Sequence, residues 1–367
     1  VPSASTDAIN FTDKKDLSRM SSHARSRSLR AVGILAALSL TVVGLTGCVA
    51  RGSDTTATEA PELVSNDQLA TVTLDVGDQK GGTEALLRAS GELDSAPYDV
   101  AFSTFTSGPP QVEAATAGQI DFAVTGNTPP VFGVAANARI KVVSAYTNDA
   151  SGDQILVPAD STLTSFADLR GKKIAVGKGS SAHGHVLLQL QKAGLTTGDV
   201  QLVFLQPADA LTAFTSGEVD AWAIWDPFTA IAQVQNGSKT LTTAEGVANG
   251  YGFGIASQQA LDDPAKNTAL QDFVVRLAKA SAWAAANPAE WAAAYSAAVG
   301  IDPAAGELAQ GRSQRPAIAL DDTVIESEQA LFDVFVESGS IPSGNTFADF
   351  VDTRYNDAIA DATASTN

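Results

Sequence analysis

Short apolar runs separated by polar, glycine-marked turns recur from residue 70 to about 225. Eight of them have strand length and strand composition: "TVTLDV" (71–76), "YDVAFSTF" (98–105), "IDFAVTG" (120–126), "IKVVSAY" (140–146), "DQILVP" (153–158), "KKIAVG" (172–177), "VQLVFL" (200–205) and "DAWAIW" (220–225). Helical patterns follow most of them. "GGTEALLRAS" places apolar residues at 85, 86 and 89, and "AHGHVLLQLQKAG" closes on Gly194, a helix-ending signal. Residues 260–335 differ: they are long, alanine-rich and periodic near 3.6, with an interruption at Asn287-Pro288 where proline starts a new helix. Strands alternating with helices predict an α/β fold.

The pattern also repeats. "QKGGT" (79–83) returns as "GKGSS" (177–181), and "ATAGQIDFAVTGNTPP" (from 115) returns as "FTSGEVDAWAIWDPF" (from 214). In the longer pair a helix ends at Gly118 or Gly217, a strand begins near Ile120 or Val219, and a proline-containing loop leads to another helix. Two such units at nearly one spacing predict two similar lobes.

The first 47 residues break this rhythm. Arg25, Arg27 and Arg30 precede the apolar run "AVGILAALSLTVVGLTG" (31–47), which is short and small-residue-rich for a membrane span. "LTGC" then ends at Cys48, the single cysteine, so no intrachain disulfide forms. Basic flank, apolar run and small residues before a cysteine resemble a bacterial lipobox, which implies a signal peptide over 1–47 and a lipid on Cys48. The one methionine, Met20, stands just before the basic flank, and translation is expected to start there rather than within 1–19. The polar stretch at 48–69 reads as a flexible tether, and 361–367 as a frayed tail.

Charge narrows the partners. Asp and Glu number 41 against 23 Lys and Arg, a net −18. A general nucleic-acid binder needs a basic face, so nucleic acid is excluded as an expected partner. Contact with the membrane is expected through the lipid only.

Four loops fall at the carboxyl ends of the expected strands, where α/β sheets bind ligands. They are "DQKGGT" (78–83), "TGNTPP" (125–130), "GKGSSA" (177–182) and "WDPF" (225–228). The first three lead into helices, whose N-termini present unpaired N–H groups and partial positive charge. Three such ends converging on one cleft would hold an anion without lysine. "GKKIAVGKGSS" fails the register of a nucleotide-binding Gly-x4-Gly-Lys-Ser/Thr loop. "GSSA" alone also reads as an ordinary helix cap. Lys80 and Lys178 are more often solvated than ligating. Trp222 and Trp225 are three apart and face opposite sides of their strand. Trp225, nearer the strand end, is the cleft candidate, and Asp226 either joins the cleft or caps the next helix. His183 is expected on a helix surface. His183 and His185 have the wrong spacing for one helix face, so neither a metal site nor another cofactor is expected.

"QKGGT", "TGNTPP", "GKKIAVGKGSSAH", "LQPADA" and "DAWAIWDPF" occur in order, and together they resemble the aliphatic-sulfonate-binding proteins of bacterial ABC importers, within the group that includes nitrate- and taurine-binding proteins. The likeness covers about residues 70–355. It implies a two-lobed periplasmic-binding-protein fold of the second type. Lobe 1 would take 70–152 plus 255–360 and lobe 2 would take 153–254, with hinges near "DQILVP" and "YGFGIAS". It implies a monomer on the outer face of the cytoplasmic membrane that captures a small organic anion, a sulfonate, by lobe closure. The closed form would be delivered to a permease and its ATPase. Carried over by position, the family pattern points to Gln79, Gly126, Asn127, Thr128, Ser180, Ser181, Ala182, Trp225 and Asp226 as ligand-binding. The family usually has Asp after "TG" where this chain has Asn127, which removes a partner for an amine and puts taurine in doubt. Gly184-His185 is a second departure. Nitrate, taurine or a thiamine-precursor pyrimidine on the same fold is one alternative. An enzyme such as a sulfinate-cleaving hydrolase is another, disfavoured because the lone cysteine lies in the lipobox.

Overall fold

The computed structural model describes residues 60–80 and 82–364. The signal-peptide and Cys48 expectations therefore lie outside the described residues. The described residues form one compact unit.

The chain opens with a short helix α1 (Asn66–Leu69) and then builds β1 (Thr73–Gln79), α2 (Thr83–Ala89), β2 (Asp99–Phe105), α3 (Gly108–Thr116), β3 (Phe122–Gly126), α4 (Thr128–Ala135) and β4 (Ile140–Thr147). It then leaves this sheet for a second one: β5 (Gln154–Val157), β6 (Lys173–Val176), α5 (Ser181–Lys192), β7 (Gln201–Phe204), α6 (Pro207–Thr215), β8 (Ala221–Ile224), α7 (Phe228–Asn236) and β9 (Lys239–Thr243). It returns through β10 (Tyr251–Ser257) and finishes with α8 (Gln258–Asp262), α9 (Pro264–Ala286), α10 (Pro288–Val299), α11 (Pro303–Gly311), β11 (Ala317–Ile318), α12 (Asp322–Glu337) and α13 (Asn356–Ala364). The sheet orders are β11-β4-β10-β3-β1-β2 and β7-β6-β8-β5-β9.

These two sheets are the two lobes, and the expected repeat is visible in them. The unit α3–β3–α4 matches α6–β8–α7, and each helix-to-strand turn passes through a glycine with positive φ, Gly118 at 69° and Gly217 at 77°. In each lobe three neighbouring strands run parallel, β2-β1-β3 and β7-β6-β8, so their carboxyl ends share an edge.

All eight expected strands form, and α9 stops before Pro288 as its sequence requires. Three boundaries move. The return to lobe 1 comes earlier than residue 255, because Tyr251–Gly254 already pair with β4 and β3. The last part of the stretch expected as tether is packed on the body: the Val64 N–H donates to Thr268 Oγ1 at 2.9 Å, and Leu69 is buried among α9 residues. The tail is helical to Ala364, held by the buried Ile359 and Ala362.

The lobes share apolar packing. One buried cluster contains Val131 and Val134 of α4, Val186 and Leu190 of α5, and Leu331 and Phe335 of α12, so α12 bridges both lobes. On the other side, Ala305 and Ala309 of α11 pack on Ala230 and Ile231 of α7.

Candidate functional site

Between the lobes lies a cavity of about 190 Å³. The ends of β1, β3 and β8, the start of α5 and the return segment 312–315 all reach it. Its chemistry is set by how four neighbouring helices begin.

Helices α4 and α5 begin uncapped. The Ser180 hydroxyl, at the N-cap position of α5, donates backward to the Gly177 carbonyl at 2.7 Å and caps no N–H. Gly179 permits this turn with φ of 73°, a conformation that suits glycine. The Asn127 side chain, at the N-cap of α4, also makes no cap bond. It turns toward the second crossover, donating to Asn249 Oδ1 at 2.9 Å and accepting from the Thr128 hydroxyl at 3.0 Å. Asn249 in turn donates to Glu328 Oε2 at 2.9 Å. Glu328 is fully buried, and burial raises its pKa to about 8. First-turn N–H groups without a cap are available to an anion.

Helices α2 and α7 begin on aspartates. Asp78 Oδ1 accepts the Thr83 N–H at 2.7 Å. Asp226 Oδ1 accepts the Ala230 N–H at 3.1 Å and the Thr229 hydroxyl. Arg312 then grips Asp226, with Nε to Oδ2 at 2.7 Å and Nη2 to Oδ1 at 3.0 Å. Only 4 % of the Asp226 side chain and 16 % of the Arg312 side chain are exposed, so the pair is a buried clasp between lobes. Of the three helix starts expected to converge on an anion, the α2 start is therefore occupied by the chain's own carboxylate.

The uncapped starts come from different lobes and nearly touch. A Cβ placed on Gly126 would meet Ser181 Cβ at 3.1 Å. The Ser181 hydroxyl donates to Asp153 Oδ1 at 3.4 Å, and burial raises the Asp153 pKa to about 6 while nearby Arg315 opposes the rise. A second link across the cleft joins the Thr106 and Ser107 hydroxyls to Gln206 Oε1, each at 3.1 Å.

Seven of the nine positions drawn from the sequence line this cavity: Gln79, Gly126, Asn127, Ser180, Ser181, Trp225 and Asp226. Thr128 and Ala182 are fully buried beside it and do not line it. The tryptophans divide as their parity requires. Trp222 is core, and Trp225 walls the cavity with its ring edge-on to Phe228. Lys80 lines the cavity, whereas Lys178 lies over the Phe204 ring at 6.0 Å.

His183 is not on a helix surface. It is 1 % exposed, and its ring packs edge-on against Phe204 and Phe335 at 5.2 and 5.1 Å. The expectation failed because α5 is sandwiched between its own sheet and helices α4 and α12. Burial lowers the pKa of both His183 and His185 to about 4, so both are neutral at neutral pH. Sequence reasoning missed Arg312 and Arg315, the two arginines of "GRSQRP" in the return segment. It also missed an apolar flank of the cavity formed by Leu86, Leu277, Ala284 and Trp291. The only available signal was two arginines close together outside a helix in an acidic chain.

Two lobes, two chain crossovers and a polar cleft at the sheet edges define a periplasmic-binding-protein fold of the second type. Residues 99–291 match the NMT1/THI5-like family model, and the chain belongs to that family. It is 40 % identical over 171 residues to the putative aliphatic sulfonates-binding protein of Escherichia coli K12, a stretch covering 46 % of this chain and 54 % of that relative. The chain thus spans about half the length of that curated relative. Among solved structures it resembles the alkanesulfonate-binding protein SsuA from Xanthomonas axonopodis pv. citri bound to MOPS (31 % identity, TM-score 0.71), covering 77 % of this chain and 98 % of the other. It also resembles the periplasmic aliphatic sulphonate binding protein SsuA from Escherichia coli (29 %, TM-score 0.67), covering 77 % and 92 %.

Proposed function

We propose that this protein captures aliphatic sulfonates outside the cytoplasm and delivers them to an ABC permease and its ATPase. The observation that carries the reading is the pair of uncapped helix starts, α4 and α5, facing one cavity from opposite lobes beside Trp225. Neutral N–H donors and helix dipoles suit a sulfonate, which stays anionic and accepts several hydrogen bonds. Trp225 and the Leu86–Leu277 flank suit its alkyl part. The relatives named for aliphatic sulfonates and alkanesulfonates agree with this ligand class. Gln79, Gly126, Asn127, Ser180, Ser181 and Trp225 form the contact surface. Thr128 and Ala182 support it from behind, and Asp226 serves as the interlobe clasp. The protein acts as a monomer without cofactor, and Cys48 holds it at the outer face of the membrane by a lipid.

Catalysis is disfavoured by the side chains present. The single cysteine is Cys48, at the lipobox, and neither His183 nor His185 lines the cavity.

A thermal-shift panel on residues 60–367 tests the reading with alkanesulfonates of several lengths, taurine, sulfate, nitrate and thiamine-pathway pyrimidines. A ligand at a hundred times its dissociation constant adds about 2.7 kcal/mol. Stabilisation graded with alkyl length is expected. A response to nitrate or a pyrimidine alone would overturn the substrate, and an unmodified Cys48 by mass spectrometry would remove the anchor.

A further inference from the structure

Gly184, which departs from the family pattern, is buried in the first turn of α5. It sits inside a right-handed helix, so no turn requires glycine there, and glycine in a helix is destabilising relative to alanine. What it permits is close approach. A Cβ placed on Gly184 would meet Thr128 Oγ1 of α4 at 2.6 Å, and Leu331 Cδ1 and Phe335 Cε2 of α12 at 3.5 and 3.7 Å. Thr128 opens one uncapped helix and Gly184 lies in the first turn of the other.

The two helix starts therefore meet at two points along one seam between the lobes. Gly126 meets Ser181 at the cavity, and Thr128 meets Gly184 behind it, where neither residue lines the cavity. Thr128 has little room to yield. It is β-branched and fully buried, and its hydroxyl donates to Asn127 Oδ1 at 3.0 Å. Turning it about χ1 would move that hydroxyl off Asn127, which lines the cavity and donates onward to Asn249. A methyl group at position 184 would thus either part α4 from α5 or disturb the α4 start. Donors from both helices must reach one anion within a narrow range of distance, so a shift of a few tenths of an ångström weakens the joint grip.

We infer that Gly184 is a positioning residue that sets how closely the two uncapped helix starts approach, and so how tightly the cleft holds an anion. This rests on the sulfonate reading above and deepens it.

Calorimetric titration with ethane-, propane- and butane-1-sulfonate tests it. Gly184→Ala should weaken all three by one common factor of about five or more, because the shared sulfonate end meets the helix starts. Its unliganded melting temperature should stay near the native value, because without a ligand the lobes can part. In a Thr128→Ala background, which removes the opposing hydroxyl, adding Gly184→Ala should cost less than about twofold; that non-additivity reads the contact itself. Unchanged affinity in Gly184→Ala overturns the inference, as does an equal loss in the Thr128→Ala background. A loss that grows with alkyl length would place the effect at the apolar flank and also overturn it. Absence of a cooperative melt in Gly184→Ala would make the residue structural and do the same. Each of these leaves the sulfonate reading intact, whereas a native protein that binds none of the three overturns both.

Discussion

Helices α2 and α7 begin on aspartates whose carboxylates bind their first-turn N–H groups; α4 and α5 begin with their N-cap side chains turned away. All four starts stand around one cavity, and all four come from loops that the sequence places at strand ends. The capped pair has spent its donors inside the protein and contributes to structure. The uncapped pair has kept them for something else. An N-cap bond is worth about 1 kcal/mol, so forgoing two of them is a cost that the proposed anion would offset.

The contrast can be attacked from either side. The largest effect is expected at the capped α7 start. Arg312→Ala leaves Asp226 buried and unpaired, and urea denaturation should report a loss of about 3–5 kcal/mol. A loss under 1 kcal/mol would mean the clasp is not structural.

Next comes Glu328, which anchors Asn249 and through it keeps the Asn127 side chain away from the α4 start. Its pKa lies above the usual carboxylate value, at about 8, so the folded protein holds a proton that the unfolded chain releases near pH 4.5. Its contribution to stability is fully present below about pH 4.5, declines as pH rises, and is exhausted above about pH 8. The slope approaches about 1.4 kcal/mol per pH unit. Glu328→Gln should flatten this part of the stability profile, and an unchanged profile would remove the role given to Glu328.

At the uncapped pair, Gly126→Val forces a side chain against Ser181. Overpacking costs about 1–3 kcal/mol, so calorimetry should show sulfonate affinity reduced about 5- to 160-fold. The unliganded protein should keep its helical circular dichroism, because the lobes can part to relieve the clash. Unaltered affinity would separate the α4–α5 junction from the site. The smallest effect is expected for Ser181→Ala, which removes one hydroxyl and leaves the backbone donors. A net hydrogen bond of about 1 kcal/mol corresponds to roughly fivefold in affinity. A hundredfold loss would show that the hydroxyl, and not the helix start, carries recognition.

The uncapped pair was legible as loops, because glycine, serine and proline at the ends of apolar runs have local causes. The strands were legible for the same reason. β9 was not: "KTLTT" is a mostly polar strand at the edge of its sheet, and its burial is only partial. Capping was legible only at Asp226, which the sequence offers to the cleft or to the next helix and which serves both. Asp78 lies on strand β1, five residues ahead of the helix it caps, and Ser180 has the right identity for a cap but bonds the wrong way. Arg312 and Arg315 gain their meaning only from where the chain passes after α11, a tertiary fact. His183 was misplaced because helix periodicity identifies one buried face, and α5 is covered on more than one.

The aromatic seam between the lobes has a mechanical side. Phe132 and Phe335 of lobe 1 press on His183 of lobe 2, with centroids 5.1–6.1 Å apart. Ring-edge contacts of this kind are worth about 0.5–1.5 kcal/mol each beyond the area they bury. They lie away from the cavity, so a ligand neither makes nor breaks them directly. They act as a detent, a shallow notch in which the lobes rest. Its depth sets how much of a ligand's binding energy would go to moving the lobes and how much would be left as affinity.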